Sequence, residues 1–235
     1  AMTELADVLE RKMSGSAREA AKGRAVSVAE ERAAQKAAWN EHLKRRWDRA
    51  PMSSERMMAE VAAVLPDNAV IADDAVSSRG SVLGAMEFNE PGSFFGGRGG
   101  SLGWGMGGAL GVKLAMPDRP VVGVVGDGSA MMAIQALWTA VDSDIPVVYV
   151  ICNNRSYRVL KLNMNTYKTQ VLKEDVPSKY IAMDFPTPMN MAGIAEAMGM
   201  HGRKVDRPEE VGPAMKEALD LGKPALLDMV IDGSV

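Results

Sequence analysis

A single cysteine, Cys152, leaves no partner for an intrachain disulfide, so the fold has to be held by its core. There is no apolar run of about 18 residues and no signal-peptide pattern, which predicts no membrane association and a cytoplasmic location. An excess of either charge is also missing. Lys and Arg number 27 against 30 Asp and Glu, for a net charge of -3, and no basic stripe lies outside the N-terminal stretch, which argues against nucleic acid as a partner. Aromatic residues make up only 5% of the chain. The two histidines, His42 on a charged helical stretch and His201 at a loop–strand junction, have no partner visible in sequence and take no catalytic role. What is present, 47% hydrophobic and 24% charged residues, is the composition of a globular domain. The length of 235 residues suits one large α/β domain, or an ordinary domain with an extension.

Residues 1–50 and 51–235 read as different regions. In the first, "TELADVLERKM" has the spacing of a short amphipathic helix, "SGSAREAAKG" reads as a linker, and "SVAEERAAQKAAWNEHLKRRWDRA" as a long charged helix stopped by Pro51. This arm has too little apolar surface for its own core. From residue 51 onward strands and helices alternate. "SSERMMAEVAAVLP" is a helix with Ser53 or Ser54 as N-cap and Pro66 as its stop, and "AVIA" (69–72) is a strand leading into the polar loop "DDAVSSRG". "VVGVVG" (121–126) is an unbroken apolar run of the kind found in parallel strands covered on both faces, "IPVVYVIC" (145–152) and "PALLDMVI" (224–231) read as further buried strands, and a short strand falls near "GRKV". "SAMMAIQALWTAV", "MNMAGIAEAMGM" and "RPEEVGPAMKEALDL" read as the helices between them. The predicted fold is α/β: a doubly wound, mainly parallel sheet with helices on both faces, preceded by a helical arm.

Asp127 and Asn154 stand 27 positions apart, each just after an apolar strand, which is about the length of one βαβ unit. A parallel crossover brings both to the carboxyl edge of the sheet, where ligands of open α/β sheets bind. Gly126 and Gly128 leave room for a ligand to approach the backbone, and the N–H groups at Ser129 favour an anion. A carboxylate and an amide oxygen suit Mg²⁺, which takes few protein oxygens and completes its shell with phosphate and water. A Mg²⁺-bound diphosphate is the ligand so implied. Gly-Asp-Gly or Asn-Asn alone is an ordinary turn; the two in this frame and spacing are far more specific.

The stretch "GDGSAMMAIQALWTAVDSDIPVVYVICNN" resembles the thiamine diphosphate signature, GDG followed at a fixed distance by NN. With "GGSLGWGMGGALGVKLAMPDRPVVGVVGDGS" and "ALWTA", the region from about 51 to 235 is similar to the benzoylformate decarboxylase and acetolactate synthase group of thiamine diphosphate-dependent enzymes. The resemblance implies Asp127, the side chain of Asn154 and the main-chain carbonyl of Ser156 as metal ligands. It places Ser77, Ser78, Gly126, Gly128, Ser129 and the backbone near Ser156 and Tyr157 around the diphosphate. Leu102 falls where an apolar residue wedges the cofactor into a bent shape, and Gly100 where a main-chain carbonyl accepts from the 4'-amino group. On burial statistics alone, Leu102 reads as a core leucine. Arg158, Val159 and Asn163 fall on the substrate pocket. Arg158 stands where the benzoylformate enzymes have glycine, and it suits either an anionic substrate group or solvent.

The implied cofactors are thiamine diphosphate and Mg²⁺, the substrate a 2-oxo acid, and the reaction that of a lyase or transferase. The resembled enzymes draw a second, pyrimidine-binding domain, with the glutamate that activates the cofactor, from elsewhere than the region matched. No catalytic residue is therefore assigned in this chain. It is expected to be a fragment or one subunit of a split enzyme, inactive alone, forming a homo-oligomer or pairing with a pyrimidine-binding domain. The alternative of another class is a stand-alone, non-catalytic cofactor-binding module. A nicotinamide dinucleotide-binding domain is the third reading, because "GWGMGG" (103–108) formally matches G-x-G-x-x-G with Asp127 19 positions after Gly108. That fingerprint requires a strand running directly into its first glycine, whereas the preceding "FFGGRGGSL" is broken by glycines, and it leaves Asn153 and Asn154 unexplained.

Overall fold

A computed structural model describes residues 2–97, 99–174 and 179–235. The chain divides into two units, Ala1–Arg45 and Arg46–Val235. The first is built of α1 (Met2–Lys12) and most of α2 (Gly15–Arg46), and neither helix has a buried residue. The expected linker at 14–23 is helix instead. Only Met13 and Ser14 interrupt the run, and the Ser14 hydroxyl accepts from the Ala17 N–H at 3.2 Å as an N-cap. Ala, Arg, Glu and Lys around Gly15 and Gly23 outweigh the cost of about 1 kcal/mol per glycine.

In the second unit the elements run α3 (Ser54–Ala62), β1 (Val70–Asp74), α4 (Arg79–Ala85), β2 (Phe94–Gly96), α5 (Trp104–Ala115), β3 (Val121–Gly126), α6 (Asp127–Ala130), α7 (Ala136–Asp142), β4 (Val148–Asn153), α8 (Arg158–Thr166), α9 (Met191–Ala197), β5 (His201–Val205), α10 (Val211–Asp220) and β6 (Ala225–Val230). Ser53 caps α3, its side chain accepting from the Arg56 N–H. The strands form one sheet in the order β2-β1-β3-β4-β6-β5, and every pairing is parallel.

The apolar runs are continuous because both faces are covered. Val122, Val124, Val148, Val150 and Leu227 face one cluster with Met57, Met58 and Val61 of α3, Val82 of α4 and Met215 of α10. Val121, Val125, Tyr149, Ile151 and Leu226 face the other, with Met106 and Leu110 of α5, Leu137 of α7 and Met191 of α9. Each fully buried side chain of this kind contributes about 1.5–3 kcal/mol, so the two layers are what hold the sheet between its helices.

Two local readings are corrected. A short edge strand, β2, forms within the glycine-broken stretch after Ser93, where Phe94 and Phe95 pair with Ile71 and Ala72. The stretch 129–141 is not one helix: after α6 the chain passes through successive three-residue turns, Met132 N–H to Ser129 O and Ala133 N–H to Ala130 O among them, before α7 begins. This interruption lies against the turn at Gly103, where an added Cβ would stand 2.8 Å from Met132 Cβ.

Tyr149 ties β4 to α5 within the second cluster: fully buried, it donates its hydroxyl to the Met106 carbonyl at 2.6 Å. Tyr149→Phe removes this bond while the carbonyl keeps its place in the hydrogen-bond ladder of α5, and should lower unfolding stability by about 0.5–1.5 kcal/mol in urea titration, without changing the far-UV spectrum of the native state.

Candidate cofactor site

Neighbouring strands β1 and β3 send the chain to opposite faces of the sheet: α4 packs on one cluster and α7 on the other. Where parallel strands diverge in this way a crevice opens at their carboxyl ends. Three strand ends meet there in register, with Asp74 beside Val125 and Gly126 beside Cys152, so Asp74, Asp127 and Asn154 are brought to one edge.

Asp127 is 2% exposed. Its Oδ1 accepts from the Gly128 N–H and its Oδ2 from the Arg155 N–H, both at 2.8 Å, which leaves further lone pairs on each oxygen. Asn154 is buried, and its Oδ1 accepts from the Ser156 N–H at 3.0 Å. Ser156 is buried too, with a hydroxyl that has no hydrogen-bond partner. Among the described residues no group of three or more His, Cys, Asp or Glu is placed to hold a metal. The donors here are one carboxylate and neutral oxygens, a set that fits a hard cation whose shell is completed by phosphate and water. Burial pushes the Asp127 carboxyl up to about 6, against the lowering effect of its backbone donors, with the nearby Asp228 adding to the rise.

Asp74 is the residue that the reading of "DDAVSSRG" as a plain polar loop missed. It is buried, and its Oδ2 accepts from the Gly103 N–H at 2.8 Å, the Gly105 N–H at 3.2 Å and the Ser129 hydroxyl at 2.7 Å. The Ser129 oxygen in turn accepts from the Gly103 N–H at 2.9 Å. One carboxylate oxygen thus joins the end of β1, the start of α5 and the turn after β3. Gly105 is required by this packing, since a Cβ there would lie 2.5 Å from Asp74 Cβ, and Gly103 takes φ +88° at the turn. A pair of successive carboxylates directly after a buried apolar strand was the available signal.

Residues 74–229 match the family described as thiamine pyrophosphate enzyme, C-terminal TPP binding domain. The chain belongs to the thiamine pyrophosphate enzyme family. It is 31% identical over 179 residues to benzoylformate decarboxylase of Pseudomonas aeruginosa, covering 76% of this chain and 32% of that protein. It is 29% identical over 194 residues to a probable acetolactate synthase large subunit of Methanococcus aeolicus, covering 80% of this chain and 31% of that protein. Among solved structures it is similar to the thiamine diphosphate-dependent 4-hydroxybenzoylformate decarboxylase of Rhodococcus jostii RHA1, with a TM-score of 0.70 and 32% identity over 79% of this chain and 34% of that one. The chain spans about a third of the length of the curated relatives it matches.

Around this thiamine pyrophosphate-binding domain's crevice the remaining predicted residues fall as follows. Ser77 and Ser78 lie in a single 3-10 turn after β1, Ser77 half-buried and Ser78 buried against the Cys152 thiol. The turn begins at Val76, a β-branched residue at φ +43°, and is braced by the Asp73–Arg79 ion pair and by Asp73 Oδ1 accepting from the Ala75 N–H at 3.2 Å. Such a conformation costs about 1–3 kcal/mol and persists only where neighbours enforce it. The Cys152 thiol itself is fully buried and pushed up by that burial, an inert packing group.

Leu102 is not in the core: it is 47% exposed, directly before Gly103, and Gly100 at φ +72° is exposed beside it. Met131, Met132 and Trp138 are exposed on the segment after β3. Tyr157 lies edge-on to Phe185, with centroids 4.7 Å apart, and a Cβ on Gly128 would come within 3.0 Å of the Tyr157 ring. The Ser129 hydroxyl is committed to Asp74 and Gly103, so Ser129 offers a ligand its backbone.

Arg158 is half-buried, its Nε donates to the Ser234 carbonyl at 2.9 Å, and burial together with nearby Arg46 lowers its basicity. Val159 is half-buried and Asn163 exposed on the same helix, α8. The G-x-G-x-x-G match does not sit in a dinucleotide fold: β2 ends at Gly96, well before Gly103, at the edge of the sheet.

The raised Asp127 carboxyl has a direct consequence for stability. Its folded value lies above the ordinary 3.8, so well below 3.8 both states are protonated and no penalty exists. Above about 6 the folded state carries a buried charge and the penalty is full. A rise from 3.8 to about 6 corresponds to about 3 kcal/mol at most. Asp127→Asn in metal-free buffer should therefore raise stability by about 1–2 kcal/mol at pH 7.5, after loss of one accepted N–H bond, and the gain should vanish near pH 4. Thermal unfolding of both proteins across this range measures the difference.

Proposed function

We propose that this chain holds the diphosphate of thiamine diphosphate through a Mg²⁺ ion at Asp127, Asn154 and the Ser156 carbonyl, as part of a 2-oxo acid decarboxylase or carboligase. The observation that carries the reading is the pair of buried oxygen donors, Asp127 and Asn154, at the ends of adjacent strands β3 and β4 in the crevice. The family match and the names of the relatives, benzoylformate decarboxylase and acetolactate synthase, support the reaction class. When bound, the cofactor supplies the electron sink for loss of carbon dioxide from a 2-oxo acid.

The chain's own residues then have distinct tasks. Asp127 supplies the negative charge that a divalent cation requires, and Asn154 and Ser156 supply neutral oxygens without adding to the buried charge. Gly126 and Gly128 allow close approach of the diphosphate, flanked by Ser77, Ser78, Ser129 and Tyr157. Asp74, acting through Gly103 and Ser129, fixes the turn that presents Leu102 and the Gly100 carbonyl to the crevice. Leu102 is a contact for the cofactor's middle, a role favoured by its exposure. Arg158 borders the pocket with Val159 and Asn163; its bond to the Ser234 carbonyl supports a part in holding the C-terminal segment across it.

The working enzyme draws its pyrimidine-binding half from another domain or subunit, in keeping with the share of its relatives that the chain spans. The exposed apolar side chains of Leu102, Met131, Met132 and Trp138 suit such a partner or a second copy of the chain. The enzyme so assembled is proposed to be cytoplasmic; among the described residues no helix is long and apolar enough to cross a membrane.

Calorimetric titration of the chain with thiamine diphosphate tests the site. Binding is expected with Mg²⁺, and little without it; Asp127→Ala should abolish the metal-dependent part. Unchanged affinity in that variant would mean the metal lies elsewhere. Because the metal takes the carboxylate and not the acid, Mg²⁺ affinity should fall about tenfold per pH unit below 6. The isolated chain should show no measurable pyruvate or benzoylformate decarboxylation; turnover at an ordinary enzyme rate, about 1–1000 per second, would overturn the need for a second half.

A further inference from the structure

The loop that follows β4 has a second side. Away from the β1–β3 crevice, at the carboxyl ends of β4, β6 and β5, lies a cavity of about 300 Å³ with Asn153, Arg155, Met189, Lys204 and Asp228 in its walls. Asn153 is 2% exposed. Its Nδ2 donates to Asp228 Oδ1 at 2.7 Å and to the Met189 carbonyl at 3.3 Å, which fixes the orientation of the amide. Its Oδ1 has no hydrogen-bond partner. A buried acceptor left in this state costs about 1–3 kcal/mol unless something donates to it.

Arg155 supplies an independent observation. It sits at φ +56°, a left-handed conformation held from both sides: its N–H donates to Asp127 Oδ2 at 2.8 Å and its carbonyl accepts from the Phe185 N–H at 2.9 Å. Glycine would make the same two backbone bonds without the steric cost, about 1 kcal/mol, of a side chain in this region. The strain is therefore borne for the side chain and not for the loop. That side chain is exposed, and its guanidinium makes no ion pair with any described residue. The second cation of the cavity, Lys204, is half-exposed and reaches Asp206 at 3.0 Å.

We propose that this cavity binds a small carboxylic acid carrying a hydroxyl or amino group next to the carboxylate. The carboxylate is held at the mouth by the Arg155 fork and Lys204. The neighbouring O–H or N–H donates inward to Asn153 Oδ1, with Asp228 as a further acceptor behind it. A simple carboxylate satisfies only the mouth, and a plain amine only the floor. Because Arg155 N–H also holds Asp127, occupancy of the cavity would stiffen the loop on which Asn154 and Ser156 stand.

The inference does not depend on the cofactor reading, and its test excludes the metal. In chelator-treated buffer the full chain is titrated with glycine, glycolate and acetate while the Asn153 side-chain amide is followed by nitrogen–proton correlation spectra. Saturable shifts are expected with glycine or glycolate, and binding about tenfold weaker with acetate, which lacks the inner donor. Arg155→Gly should bind at least about tenfold more weakly yet melt at a higher temperature, a combination that a purely structural arginine does not give. Lys204→Ala, which leaves the loop untouched, should weaken binding as well. No saturable shift with either acid, acetate binding as tightly as glycolate, or undiminished binding by Arg155→Gly would each overturn the proposal.

Discussion

One oxygen atom organises the carboxyl edge of this sheet. Asp74 Oδ2 receives two backbone N–H groups at the head of α5 and the hydroxyl of Ser129, joining segments that are 29 and 55 positions away in the chain. A buried carboxyl oxygen that accepts several donors is among the strongest polar anchors available, because the bonds reinforce one another and the site is dry. The left-handed Gly103 and the small Gly105 are read most simply as consequences: the helix has to approach close enough for its first N–H groups to reach that oxygen. The crevice exists because the sheet diverges between β1 and β3, but its shape is set by this bond.

Around that anchor the site is built from arrangements that cost stability. Asp127 is a carboxylate kept from water, Val76 and Arg155 are non-glycine residues in left-handed backbone, and Ser156 and Asn153 each bury an unmatched polar atom. Away from the carboxyl edge the same sheet is unstrained: five parallel strand pairings and two apolar layers. Such a division is what ligand sites require, since a group that is already satisfied has nothing left to offer. The apolar layers supply the surplus of stability that the edge consumes.

Much of this was legible in the chain. Long apolar runs such as "VVGVVG" announce strands covered on both faces, and that reading holds at every long strand, because hydrophobic burial on two sides leaves no room for alternation. The spacing of Asp127 and Asn154 brings both to the carboxyl ends of adjacent strands because a parallel crossover has a fixed hand and a narrow range of lengths. What failed did so where local pattern and tertiary contact disagree. Helix propensity does not see the Gly103 turn pressing on Met132, so 129–141 reads as one helix. Glycines hide β2, an edge strand of three residues held by a single neighbour. Burial averages placed Leu102 in the core, although its position before the turn puts it at the crevice. The Asp74 bond joins residues too far apart in sequence for any local signal, beyond a pair of carboxylates where a strand should end. Nothing in the sequence marks Arg155 as strained.

The exposed thioethers on the segment after β3 give the crevice a chemical vulnerability. Met131 and Met132 sit beside the turn that Asp74 holds, open to solvent, whereas the methionines packed along the sheet, such as Met57, Met58 and Met215, are sealed in the core. Oxidants in solution reach the first pair and not the second as long as the fold is closed. Conversion of either exposed sulfur to its sulfoxide would put a polar, chiral group on the apolar rim next to Leu102, so within the α/β unit peroxide damage would begin at the mouth of its own cofactor crevice and leave the core untouched.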